Sequence, residues 1–118
     1  MSKLSFALLL AVLSLACGGP DPEQQCEDLL KTICKRARVC GEEVLGEKAP
    51  ANFESDCVEN VQDTALDKDC SHAVDVTSSY DTCIDEIESS SCDDFLDVSG
   101  SGVKIDPPAS CSKVIRLE

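Results

Sequence analysis

The sequence of 118 residues predicts an all-α fold: a small bundle of three main helices and a short fourth helix, held together by disulfides and followed by an irregular C-terminal tail. Apolar residues recur with the period of an α-helix over most of the chain. Of the nine cysteines, eight follow residue 20. Aromatic residues are scarce there, with only Phe53, Tyr80 and Phe95. We therefore expect a core of aliphatic side chains and cystines, in which disulfides compensate for limited hydrophobic burial.

The first 16 residues have the layout of a secretory signal peptide. Lys3 is their only charged residue, an apolar stretch runs from Leu4 to Leu15, and the small residue Ala16 ends the segment. As a helix, that stretch would rise about 18 Å, well short of the roughly 30 Å hydrocarbon core of a bilayer. We therefore predict a cleaved signal peptide at 1–16 rather than a transmembrane span.

The dipeptide Ala16-Cys17 resembles the cleavage site of bacterial lipoproteins, in which a small residue precedes a cysteine that is lipidated and becomes the mature N-terminus. The resemblance covers residues 1–17 and implies acyl chains such as palmitate on Cys17, a lipidated tether at 17–21, and a cell-envelope location, at the outer membrane or periplasmic face in a Gram-negative cell. The alternative is an ordinary signal peptide cut after Ala16, which would release a secreted product. Cysteine parity favours the lipoprotein, because lipidation consumes one thiol and leaves eight for disulfides.

The mature chain is strongly acidic. Because Lys3 lies in the signal peptide, residues 17–118 carry nine basic and 23 acidic side chains, a net charge of −14. Such a charge argues against nucleic acid as a partner, since binding phosphates requires a basic surface. It also repels anionic headgroups, so the N-terminal lipid would have to hold the domain at a membrane.

The predicted helical domain spans 22–98, and its first helix has the clearest pattern. Asp21 is a candidate N-cap, Pro22 suits the first turn, Gln24 can complete a capping box, and Gly41 is expected to end the helix. The apolar face of this helix comprises Cys26, Leu29, Leu30, Ile33, Cys34 and Ala37.

Three further helices are predicted. The second runs from Asn52 to Asp67, with Phe53, Cys57, Val61 and Ala65 on its inner face, and the third runs from Ser71 to Ser89. The inner face of the third comprises Ala73, Val76, Thr77, Tyr80, Cys83, Ile84 and Ile87. Ser90 or Ser91 can cap a short fourth helix that carries Asp93 and Asp94 in its first turn and directs Phe95 and Leu96 inward. The tail at 99–118 is expected to be irregular and tied back by Cys111.

If the three main helices run up, down and up, cysteines at the same level along the bundle axis can be paired, and this predicts the disulfides. Cys26 and Cys34 are about 12 Å apart along one helix, beyond the roughly 7 Å that a disulfide spans, so each must bond to another element. The arrangement pairs Cys26–Cys70, Cys34–Cys83, Cys40–Cys57 and Cys92–Cys111. A zinc site is disfavoured, because no Cys-x-x-Cys pair occurs and His72 is the only histidine.

The sequence favours a binding or structural module over an enzyme, with no catalytic residues, metal or cofactor. His72 is expected to be exposed, no nucleophile elbow occurs, and the acids match no calcium loop. Lys31, Lys35 and Arg38 share one side of helix one, where they could contact an acidic protein or envelope component. Alternatively, these cations complement the helix dipole, and Glu27 pairs with Lys31.

The sequence therefore predicts a monomeric, membrane-anchored module of the cell envelope that acts in binding or as a structural element, and it does not specify the role further. The alternative is a free secreted, disulfide-rich helical carrier of a small apolar ligand. A lined cavity in the folded domain would favour the carrier, whereas a closed core would disfavour it.

Overall fold

The computed structural model of the chain describes residues 21–66, 68–99 and 102–118. The predicted signal peptide, the tether residues 17–20 and the predicted lipidation site Cys17 lie outside the described residues, as do the side chains of Thr64 and Ala65.

The fold is mixed α and β, so the all-α prediction is wrong. Two helices come first, followed by one strand, two helices and three strands, and the strands form two antiparallel pairs, the first with the fourth and the second with the third. The helices are α1 (Pro22–Leu45), α2 (Phe53–Val61), α3 (Tyr80–Ser89) and α4 (Cys92–Phe95). The strands are β1 (Ala73–Val76), β2 (Leu96–Ser99), β3 (Gly102–Ile105) and β4 (Ile115–Leu117).

Helix α1 begins as predicted and ends later than predicted. Asp21 caps it by accepting a hydrogen bond from the backbone N–H of Glu23 at 3.4 Å. Gly41 does not end the helix, because a glycine inside a long helix costs only about 1 kcal/mol and the neighbouring Cys40 is fully buried. The end is Leu45, where Gly46 adopts the left-handed conformation at φ 69° and donates its N–H to the carbonyl of Glu42 at 2.9 Å.

The predicted capping box at the start of α1 does not form. The side-chain amide of Gln24 donates instead to the carboxylate of Asp28 at 3.0 Å, one turn further along the helix. Helix α2 is close to the prediction for Asn52–Asp67. It runs to Val61 and continues as a wider, π-type turn over Gln62–Leu66.

The predicted third helix is wrong in its first half. Asp69 caps a short 3-10 turn at Cys70–His72, the chain then forms β1, and only α3 is helical. The half-buried residues Ala73 and Val76 fit either a helix face or the ends of a short strand. Pairing with β4 decides between them, since Val76 lies opposite Ile115 and the N–H of Thr77 donates to the carbonyl of Val114 at 2.9 Å.

The tail is also more regular than predicted. Strands β2 and β3 form a hairpin in which Leu96 lies opposite Ile105 and Val98 opposite Val103, and β4 pairs with β1. The short fourth helix is present as predicted: Ser91 caps α4 by accepting from the N–H of Asp94 at 3.2 Å. Phe95 and Leu96 point into the core.

Helix α1 contributes to both clusters of buried residues. The main cluster packs α1 against α3, α4 and the C-terminal segment, and it comprises Leu29, Ile33, Ala37, Cys40, Cys83, Ile87, Phe95, Leu96 and Val114. The smaller cluster comprises Cys26, Leu30 and Cys70. Aliphatic side chains and half-cystines therefore fill most of the core, with Phe95 as the one fully buried aromatic residue among the described residues.

All eight described cysteines are oxidised. The disulfides are Cys26–Cys70, Cys34–Cys57, Cys40–Cys92 and Cys83–Cys111. The structure forms Cys26–Cys70 as predicted.

The other three predicted pairs, Cys34–Cys83, Cys40–Cys57 and Cys92–Cys111, are wrong. Their prediction assumed a third helix that begins at residue 71, whereas α3 begins at Tyr80 and carries Cys83 in its first turn. Helix α2 packs against the middle of α1, so Cys57 reaches Cys34 and leaves Cys40 for α4.

Candidate functional site

An open apolar groove lies between α1, the end of α2 and the C-terminal segment, and we call it the C-terminal groove. Its volume is about 600 Å³. The described residues of its lining are apolar apart from the polar side chains of Ser112 and Lys113. The lining residues are Leu29, Leu30, Ile33, Val61, Leu66, Pro107, Pro108, Ala109, Cys111, Ser112, Lys113, Val114, Ile115 and Leu117.

Helix α1 forms the floor of the C-terminal groove. Leu29, Leu30 and Ile33 project there because positions i, i+1 and i+4 share one side of a helix. Each of these side chains is also part of the buried core, with 6%, 2% and 5% of its surface exposed. The floor is therefore fixed by core packing and does not depend on an occupant.

The opposite wall is a C-terminal segment that three kinds of contact hold in place. Cys111 is bonded to Cys83 of α3, so the wall is covalently joined to a core helix. Strand β4 pairs with β1, and the N–H of Glu118 donates to the carbonyl of His72 at 3.0 Å. Because both sides are anchored, the groove is formed before any ligand binds.

Lys113 is the only charged residue among the described residues that line the groove. Its backbone has φ 59°, in the left-handed region that residues other than glycine rarely adopt. It is exposed, and it forms no ion pair with another described residue. Its ammonium group is therefore available to a ligand at the edge of an apolar surface.

A second concave surface surrounds Arg36, where α1 meets α4. The Nη2 of Arg36 donates to the carbonyl of Ser90 at 2.5 Å, at the C-terminal end of α3, where a cation complements the helix dipole. Its Nε is buried and has no hydrogen-bond partner in the described part of the chain. Glu43 and Asp93 also line this surface, and their negative charges disfavour an anionic ligand there.

The predicted cationic surface of α1 is only partly free. Lys31 and Lys35 are exposed and form no ion pair with a described residue. Arg38 instead pairs with Glu42 at 3.2 Å within α1 and with Glu54 of α2 at 3.3 Å. Arg38 thus links two helices, and the three cations do not form one free surface.

His72 is exposed, as predicted, on the 3-10 turn before β1. Beside it, hydrogen bonds from the side chain and backbone of Ser71 lower the pKa of Asp69, with a smaller contribution from the charge of His72. No charged side chain is buried among the described residues, and no three of their His, Cys, Asp or Glu side chains are grouped to bind a metal ion. The described residues around His72 therefore form a capped turn and do not form a metal-binding site.

Sequence reasoning missed the C-terminal groove and Lys113. A signal was available in Val114-Ile115-x-Leu117, an apolar group just after Cys111 that an irregular surface tail would not need. The residues opposite it come from α1 and α2, far away in sequence, so only the fold could bring the two sides together.

Within the described residues, no helix has the length and apolar character needed to cross a membrane. Comparisons of the chain with protein-family models, curated proteins and solved structures gave no match.

Proposed function

We propose that this chain is an exported small lipoprotein, anchored in the cell envelope through acyl chains on Cys17, whose disulfide-rich domain acts as a binding or structural module. The observation that carries the proposal is the pairing of all eight described cysteines with one another. That pairing leaves Cys17 without a cysteine partner in the chain, which suits a thiol consumed by lipidation. Stable disulfides also belong to oxidising compartments outside the cytosol.

A free secreted carrier of a small apolar ligand is the second candidate. The C-terminal groove favours its ligand-binding part, since small-molecule sites are typically concave and mainly apolar with a few polar groups. Release from the cell would leave Cys17 as a free thiol at the mature N-terminus. The anchored form accounts for that residue, whereas the secreted form does not.

The test replaces Cys17→Ser and follows the protein through membrane fractionation. Loss of the acyl chains removes about 0.8 kcal/mol of membrane binding for each buried CH₂, so the variant should leave the membrane fraction. Ser14→Ala serves as the control, because it changes a residue of the same segment and keeps the thiol. Intact mass spectrometry should show added acyl mass on the native product and none on the variant.

Membrane retention of Cys17→Ser, or a native product whose mass fits a free thiol at residue 17, would refute the anchor. The second outcome, together with protein in the culture medium, would favour the secreted carrier.

A further inference from the structure

We propose that the C-terminal groove binds one chain of an anionic amphiphile of the fatty-acid class, with the alkyl chain against the half-buried side chains of Val61, Leu66 and Ile115 and the carboxylate at Lys113. The inference deepens the binding role proposed above and does not depend on the lipid anchor at Cys17. It names both a ligand class and the residue that would select its head group.

The size and surface of the groove fit such a ligand. Its volume of about 600 Å³ lies within the roughly 300–1,000 Å³ typical of small-molecule sites. Among the described residues of the lining, only Ser112 and Lys113 offer hydrogen-bonding side chains. An alkyl chain needs no hydrogen bonds, whereas a buried peptide would leave most of its backbone groups facing apolar side chains.

The distribution of charge specifies an anionic head group. The chain has 23 acidic and 10 basic residues, yet none of the described residues that line the groove is acidic and one of them is a lysine. At physiological ionic strength, charges more than about 8 Å apart are largely screened. The cation at the groove therefore matters more to a bound carboxylate than the net charge of the domain.

The backbone of Lys113 supports a binding role. Its left-handed conformation is unfavourable for a residue with a side chain, and such strained residues cluster at binding sites and active sites. Glycine would avoid the strain at this position but would remove the cation. The disulfide Cys83–Cys111 and the β1–β4 pairing hold the adjacent backbone, so Lys113 presents its side chain from a fixed position.

The experiment uses palmitic acid that carries a diazirine on its alkyl chain, added to the native product in bilayer nanodiscs. After illumination, peptide mass spectrometry should locate the adducts at Val61, at Leu66 and in residues 107–117. Lys113→Gln should reduce the labelling about fivefold, the effect expected for one exposed ion pair of about 1 kcal/mol. Lys113→Arg should retain it, and Lys104→Gln, which removes an exposed cation from β3, should leave it unchanged.

A second pair of variants tests the groove itself. Ala109→Phe places a large side chain in the lining and should reduce labelling, whereas Ala51→Phe, at an exposed position outside the groove, should not. Each variant is checked for four disulfides by intact mass and for its helical circular dichroism.

Equal labelling by a diazirine fatty alcohol would overturn the role of Lys113. Adducts spread over the surface, or labelling that persists in Ala109→Phe, would overturn the site. A peptide or a second copy of the chain cross-linked at the groove would also overturn the proposal by assigning another occupant. These outcomes do not bear on the lipid anchor at Cys17, because membrane fractionation tests the anchor whether or not the groove is labelled.

Discussion

The disulfide Cys83–Cys111 should stabilise the domain and also hold one wall of the C-terminal groove. Replacing both cysteines with alanine removes the only covalent link between α3 and the C-terminal segment among the described residues. Helix α1 takes no part in this bond, and its three disulfides remain. We therefore expect a folded but less stable protein with a loosened groove.

The magnitude follows from the closed loop and from burial. A sequence separation of 28 restricts the unfolded chain by about 3.6 kcal/mol. Cys83 is also fully buried, and the loss of its sulfur leaves a small void that costs about 1 kcal/mol. The expected loss of about 4–5 kcal/mol is a large part of the total for a small domain, about 5–15 kcal/mol.

The assay is urea unfolding followed by circular dichroism, combined with diazirine labelling of the folded protein. The double replacement Cys40→Ala with Cys92→Ala is the matched control. It opens a loop of 52 residues, which removes about 4 kcal/mol, and it leaves a comparable void at the fully buried Cys40, but neither residue lines the groove. Both variants should lose stability, but only the first should lose labelling. A loss below about 1 kcal/mol for Cys83→Ala with Cys111→Ala would refute the reasoning, since packing alone would then hold the wall.

Two further predictions concern polar contacts. Burial, aided by nearby carboxylates, raises the pKa of Tyr80 above its ordinary value of 10.0. The contribution of Tyr80 to stability is therefore complete below pH 10.0 and is lost as the pH rises through the folded-state pKa. Tyr80→Phe should flatten this alkaline fall in the free energy of urea unfolding, and a pH profile unchanged by the substitution would contradict the prediction. Glu42 accepts from the backbone N–H of Ala49 at 2.8 Å and pairs with Arg38 at 3.2 Å, so Glu42→Ala should cost about 1–2 kcal/mol in the same assay, whereas Glu42→Gln, which keeps an acceptor oxygen, should cost less.

Helix α1 could be predicted because its information is local. A capping residue, a proline in the first turn and a long apolar face all agree over Pro22–Leu45. Its end could not be placed, since Gly41 and Gly46 are equally plausible as C-caps in sequence. The choice depends on Cys40 and its bond to α4, a contact between residues 52 positions apart.

Strands β1 and β4 could not be predicted from the same periodicity. Each has only three or four residues, and the spacing of Ala73 and Val76 satisfies a helix as well as a strand. What makes β1 a strand is its hydrogen bonding to β4, about 40 residues later in the chain. The wrong third helix misplaced Cys83, and the packing of α2 against the middle of α1 brought Cys57 to Cys34 and not to Cys40. Together these two errors led to three incorrect disulfide pairs.

The candidate site depends even more on nonlocal contacts. The sequence identified Arg38 as a cation but could not show that α2 brings Glu54 to it. It gave no reason to distinguish Lys113 from other surface lysines, because its importance comes from its neighbours and its backbone conformation. For both Arg38 and Lys113, the sequence shows that the side chain is a cation, but it does not show whether that cation is free to contact a partner.

The arrangement of the four disulfides explains how a thin core can support a preformed groove. Three of them join α1 to the turn at Cys70, to α2 and to α4, so α1 is the covalent frame of the domain. The fourth joins α3 to the C-terminal wall and shares no residue with that frame. The floor of the groove belongs to the frame, whereas its wall depends on one separate bond and a short strand pair. Groove geometry can therefore be altered at Cys83–Cys111 without dismantling α1, which makes ligand binding separable from folding by mutation.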